Sequence, residues 1–188
     1  MEEYILVRPT DVYAEQIVQY RKEFLDNGDS MDGCGSLRTL ENPYKFIEKC
    51  KKCEDINTLP DGKVVATQFL FIRKNDNKVL GMIQVRHYFN DYLSKFGGHI
   101  GYSVRPSERK KGYAKEMLNR ALEFCREINL EKVLITCIDT NIGSEKTILA
   151  NGGTYESTIY EPNECINLKR YWISLSKAKN EHRKSLAN

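Results

Sequence analysis

One short stretch, Arg105-Pro106-Ser107-Glu108-Arg109-Lys110-Lys111-Gly112-Tyr113-Ala114, leaves the chain little freedom in how it can fold. The apolar-rich segment Ile100 to Val104 reads as a strand. Pro106 ends it, because proline has no N–H to give a sheet and keeps Arg105 out of the helical region. Beyond the stretch, Ala114, Met117, Leu118, Ala121, Leu122, Cys125 and Ile128 recur at the spacing that puts them on one helical face. The pattern is strand, cationic loop, helix. The first turn of such a helix has backbone N–H groups without partners at the positive end of its dipole, which suits an anion. Gly112 lets the backbone approach that anion, and Arg109, Lys110 and Lys111 add charge, so a pyrophosphate is the expected guest.

The rest of the chain divides around this unit. Tyr4 to Arg8 reads as a first strand closed by Pro9, and Thr10 or Asp11 can cap a helix with Ala14, Ile17, Val18, Phe24 and Leu25 on its apolar face. That helix stops at Asn27-Gly28. Residues 29–40 have turn composition and read as a loop of the kind that borders binding sites. Asn42-Pro43 opens a second helix. Residues 64–72 form a long apolar strand, turned at Asn75-Asp76-Asn77 into a half-exposed strand over 79–87. His99 to Val104 follows. Lys132 to Ile138 reads as a buried strand whose helical crossover favours parallel pairing with the strand before it. A shorter helix, capped by Asp139, Thr140 or Asn141, ends at Asn151-Gly152-Gly153, and two strands follow over about 154–160 and 166–175. The order β α α β β β α β α β β predicts an α/β (α+β) fold with a mixed, mostly antiparallel central sheet of about seven strands flanked by helices. A single domain is expected over residues 1–176, with a polar tail over 177–188.

Composition narrows the partners. The 29 basic and 26 acidic side chains leave a net charge of +3, too balanced to predict a nucleic-acid partner. No run approaches the roughly 18 apolar residues of a spanning helix. The acidic start Met1-Glu2-Glu3-Tyr4 does not read as a secretory signal, so no membrane partner and a cytoplasmic location are expected. The six cysteines are then expected as thiols. Cys50 and Cys53 lack a second pair for a metal and share a helical stripe with Phe46 and Ile47, so no metal is expected.

Three adjacent pieces resemble the GNAT superfamily of acyl-CoA-dependent N-acyltransferases. Arg109-Lys110-Lys111-Gly112-Tyr113-Ala114 matches its pyrophosphate-binding pattern, Val104-Arg105-Pro106 its usual strand end, and Asn141-Ile142-Gly143-Ser144 the opening of its next helix. The likeness covers about residues 79–160, and the first 60 residues match only in element order. The resemblance implies an N-acetyltransferase that moves an acetyl group from acetyl-CoA to a primary amine of a small molecule or peptide by direct attack. It also implies that backbone N–H groups from Arg109 through Lys110, Lys111, Gly112 and Tyr113 to Ala114 hold the pyrophosphate. Tyr102, Ser103 and Val104 would pair with the pantetheine arm, and Asn141 would bond it or a nearby backbone group, with Ser144 beside it. The C-terminal strands offer an edge for a homodimer.

The family's usual acid is a tyrosine seven residues after the helix-opening asparagine, and this chain has Ile148 there. Tyr155, Tyr102 and Tyr113 are the substitutes to weigh. His99 is the leading base candidate, because it lies on the strand that would face the thioester and histidine titrates in the useful range. Gln84, Arg86 and His87 are expected near the acceptor, Glu108 in solvent, and Asp26, Asp29 and Asp32 as ordinary loop charges. The missing tyrosine leaves a non-catalytic acyl-CoA-binding sensor or interaction module as the alternative.

Overall fold

The structure is a computed structural model that describes residues 3–175; the expected tail over 177–188 lies outside the described residues. The elements are β1 (Tyr4–Val7), α1 (Ala14–Asp26), α2 (Pro43–Glu54), β2 (Ala66–Arg73), β3 (Lys78–Arg86), β4 (Ile100–Val104), α3 (Tyr113–Glu127), β5 (Lys132–Ile138), α4 (Ile142–Ala150), β6 (Thr154–Glu161) and β7 (Ile166–Ser174). Their order is the expected one. The start of α1 differs, since Thr10 makes no side-chain cap bond and the chain enters the helix through a 3₁₀ turn at Asp11–Tyr13. Tyr20 is buried on α1, whereas Val18 and Leu25 are exposed.

The seven strands lie in two sheets, β1-β2-β3-β4 and β5-β7-β6, and every ladder is antiparallel. The expected parallel pair of β4 and β5 does not form a ladder. It is reduced to one clasp at His99, whose N–H donates to the Leu134 carbonyl at 2.7 Å while its Nδ1 accepts the Leu134 N–H at 2.9 Å. Beyond the clasp the strands part. Gly98, at φ 63°, makes the approach possible, because a Cβ there would stand 2.5 Å from the Leu134 oxygen. A π-helical turn at Leu93–Gly97 leads into this junction and was not legible as an element.

The first sheet is covered on both faces. One core joins Phe69, Ile83 and Val85 to Met117, Leu118, Ala121 and Leu122 of α3. The other joins Leu70, Ile72 and Met82 to Ile17, Tyr20 and Phe24 of α1 and Phe46 and Ile47 of α2. Because helices pack on each side, β3 is buried on both faces along most of its length rather than half-exposed. The cysteines are all free thiols, three of them buried, as a small apolar residue would be.

Candidate active site

A cleft of about 750 Å³ opens where β4 and β5 part, walled by both strands, the basic loop, the start of α4, the loop after α1 and the turn between β6 and β7. The basic loop forms one end. Gly112 is the N-cap of α3 at φ 85°, and Lys110 stands at φ 62°, so the backbone turns its amides inward twice. The N–H groups of Lys115 and Glu116 both donate to the Gly112 carbonyl at 3.1 and 3.3 Å. Those of Lys110, Lys111, Gly112, Tyr113 and Ala114 have no acceptor among the described residues. Consecutive unsatisfied donors at a helix N-terminus, next to cations, make a cradle for phosphate. The residues present therefore fit a pyrophosphate.

The loop's side chains have other tasks. Arg109 Nη2 pairs with Asp29 at 2.6 Å, its Nε donates to the Val104 carbonyl at 3.1 Å, and its guanidinium lies over Phe24. It thereby ties the loop after α1 to β4, and Asp29 is a structural partner rather than a solvated charge. Glu108 is not solvated either. It is 4% exposed and takes Lys78 at 2.6 Å and Lys111 at 2.8 Å, with Arg73 at 3.7 Å. Burial pushes its carboxyl up, but the bonds from Lys111 and Lys78 outweigh that and bring it down to about 2. Lys110 enters no ion pair among the described residues and faces the cleft.

Strand geometry decides what β4 offers. Arg86 N–H donates to the His99 carbonyl and Arg105 N–H to the Leu80 carbonyl, so the odd-numbered residues of this strand bond to β3. Alternation then turns the N–H and C=O groups of Tyr102 and Val104 to the other edge, toward the cleft. Arg109 occupies the Val104 carbonyl, which leaves the Val104 N–H and both Tyr102 groups to pair with an extended ligand. Ser103 is turned away: its hydroxyl meets Tyr20 at 3.0 Å and Cys34 at 3.2 Å behind the strand. Tyr102 crosses the cleft, its hydroxyl 2.9 Å from Ser144 Oγ, and burial holds its phenol up at about 12. Asn141 caps α4 by accepting the Ser144 N–H at 3.0 Å. The structure thus brings Tyr102, Ser103, Val104, Arg109, Lys110, Gly112, Tyr113, Ala114, Asn141 and Ser144 to the lining of one cleft and leaves Lys111 outside it.

A profile of the acetyltransferase (GNAT) family matches residues 35–149, more than half of the 188-residue chain. The chain belongs to the acetyltransferase (GNAT) family. It is 29% identical over 104 residues to the uncharacterized N-acetyltransferase YnaD of Bacillus subtilis (strain 168), a match that covers 53% of this chain and spans only 59% of that relative's length. Among solved structures it is similar to the ribosomal-protein-S5-alanine acetyltransferase from Vibrio fischeri, with a TM-score of 0.73 at 16% identity over 94% of this chain and 96% of that one. It is also similar to the microcin C7 self-immunity acetyltransferase MccE, solved with acetyl-CoA and AMP, at TM-score 0.65, 18% identity and 92% coverage of each chain. The spermidine N-acetyltransferase from Vibrio cholerae gives 0.63 at 17% identity, over 96% of this chain and 98% of that one. At these identities the solved structures establish the fold.

Within this GNAT fold the expected catalytic residues lie outside the cleft. His99 is 6% exposed, its Nδ1 is used by the clasp, and its ring packs against Phe89. Burial, with Arg86 nearby, lowers its imidazole to about 4. A histidine that is neutral and already bonded suits a structural clasp. Tyr155 is 53% exposed on β6, bonds Thr158 at 2.9 Å and does not line the cleft. Tyr113 lines it, but its ring packs on Tyr4 and Phe71. Ile148 is fully buried in the core that α3 covers. Of Gln84, Arg86 and His87, on β3 and just beyond it, only Arg86 lines the cleft, while Gln84 reaches Gln68 and His87 bonds Thr67.

The end of the cleft away from the basic loop adds residues that sequence reasoning missed. Tyr92 and Leu93 come from the π-helical turn and its approach, and Glu161 and Glu164 from the β6–β7 turn. Glu161 is almost fully buried, with one oxygen accepting from Asn163 at 2.9 Å and the other from the Glu164 N–H at 2.6 Å. No local pattern marks these positions, because they are gathered from distant parts of the chain.

Proposed function

We propose that the protein is an N-acetyltransferase that uses acetyl-CoA and a primary-amine acceptor. The observation that carries this reading is the run of N–H groups from Lys110 to Ala114 without acceptors, opening on the same cleft as the free edge of β4. The loop would hold the pyrophosphate, the Val104 N–H and the Tyr102 backbone would pair with the pantetheine arm, and Asn141 would fix the start of α4 beside it. Bound acetyl-CoA supplies a thioester carbonyl: the amine forms a C–N bond, the C–S bond breaks, and an alkylammonium acceptor gives amide, free thiol and one proton.

The chain's own residues then have defined tasks. An alkyl ammonium has a pKa of about 10.4 and must lose a proton before it can attack. Asp32, Glu161 and Glu164 are the carboxylates lining the acceptor half, and they take that proton through water. The developing oxyanion needs a fixed donor, which a β4 backbone N–H supplies. Tyr102, protonated across the neutral range and paired with Ser144, is the proton donor for the departing sulfur. This assignment favours Tyr102 over Tyr155 and leaves His99 out of the proton path.

The test is release of free thiol from acetyl-CoA across a panel of amines. Release that depends on both enzyme and amine is the expected result. Coenzyme A binding with no release on any amine would instead identify a non-catalytic acyl-CoA-binding module.

A further inference from the structure

Arg86 carries a charge that the fold does not neutralise. It stands at the end of β3 where the π-helical turn meets β4, and one nitrogen, Nη1, donates to the carbonyls of Gly97 at 3.0 Å and Gly98 at 3.2 Å. Its Nε and Nη2 have no acceptor among the described residues, and no carboxylate lies within 4 Å. The one fully buried side-chain nitrogen without a partner among the described residues is Arg105 Nε, so the spare donors of Arg86 reach open space. Arg86 lines the cleft, and that space is the acceptor half. Nη2 would stand 3.6 Å from a Cβ on Gly101, beside the strand that faces the thioester. Burial lowers its pKa, and the charges acting on it come from Tyr92 and Asp32, neither of which closes to an ion pair.

A half-buried guanidinium with no ion-pair partner leaves Nε and Nη2 open to the cleft, and that planar pair of donors matches a carboxylate. Holding two carbonyls accounts for one nitrogen only. The lining of the cleft also includes the apolar side chains Leu93, Phe96, Ile166 and Leu168.

We propose that the acceptor is a free α-amino acid with an apolar side chain, its carboxylate held by the spare donors of Arg86 and its α-amine presented to the acetyl carbonyl. This rests on the acetyltransferase reading and narrows it, since polyamines and peptide N-termini have no carboxylate beside the amine. The carbon–nitrogen bond forms at the α-amine, the carbon–sulfur bond breaks, and the products are an N-acetyl amino acid, free thiol and one proton.

The experiment compares L-leucine with L-leucinamide, which keeps amine and side chain but replaces the carboxylate with a neutral amide. Thiol release is measured for the wild-type protein, R86Q and R86K. A bidentate charged contact predicts that wild-type kcat/KM favours leucine by roughly 10-fold or more. R86Q should collapse that preference, chiefly through KM, and R86K should restore it in part because it keeps charge without the fork. A wild-type ratio near one overturns the inference with no variant needed, and so does an R86Q variant that lowers both substrates equally. Thiol release from other amines with neither leucine compound accepted also overturns it, while leaving the acetyltransferase reading intact. Thiol release from no amine at all overturns both.

Discussion

At the scale of single residues, the site is maintained by ion pairs that occupy Arg109 and Lys111 of the basic loop while the loop's amides stay free. Glu108 is the centre of this arrangement, because Lys78, Lys111 and Arg73 converge on its buried carboxylate. Its carboxyl lies at about 2 in the folded chain against an ordinary 4.5, so the stability it contributes is complete above 4.5 and is lost as pH falls toward 2. Glu108→Gln should cost about 3 kcal/mol in urea unfolding near neutrality, the low end of what removal of one partner of a buried pair costs. The difference from wild type should narrow as pH falls through that window. Sequence alone favoured solvent for Glu108, since a charged residue beside three cations looks like a solvated loop, and only the approach of β3 at Lys78 buries it. Asn141 was legible, as one of three candidate caps with Asp139 and Thr140, for the opposite reason: the role of a helix cap is local.

At the scale of elements, the decisive feature is how β4 and β5 are held together and then released. His99 does this by using a ring nitrogen where a parallel ladder would use backbone, and the cleft begins where the clasp ends. His99→Asn keeps an acceptor of similar reach and should preserve acetyl-CoA affinity, whereas His99→Leu leaves the Leu134 N–H unpaired and should weaken it. The clasp also predicts a pH effect. The folded imidazole lies near 4 against 6.5 ordinarily, so its stabilisation is complete above 6.5 and is lost as pH falls toward 4. That contribution is roughly 3 kcal/mol at most, from about 1.4 kcal/mol per pKa unit. Thermal unfolding between pH 7 and 4 should therefore fall more steeply for wild type than for His99→Asn; equal slopes would remove the clasp as the cause. The helices and strands themselves were readable from periodicity, including the α3 face from Met117 to Cys125. The two-sided burial of β3 was not, because it depends on helices that precede it and follow it in sequence.

At the scale of the whole molecule, helices cover both faces of the first sheet, and the second sheet joins it through the His99 clasp and through the core it shares under α3, so one cleft is left where β4 and β5 part. The cofactor end is built from consecutive residues, which is why Arg109 to Ala114 announced it in the sequence. The end proposed for the acceptor gathers Asp32, Arg86, Tyr92 and Glu161 from four separate regions, and no spacing rule connects them. The proposed cofactor site therefore stands or falls on the loop. Calorimetric titration of coenzyme A and of pantetheine, which lacks the pyrophosphate, into wild type and Gly112→Asp tests it most directly. A Cβ at Gly112 meets nothing within 4 Å, so the variant retains room to fold despite its left-handed backbone. Several charge-assisted bonds to phosphate predict that wild type binds coenzyme A about 100-fold or more tighter than pantetheine. In Gly112→Asp the two should bind alike; an undiminished preference for coenzyme A in the variant would contradict the assignment of the pyrophosphate to this loop.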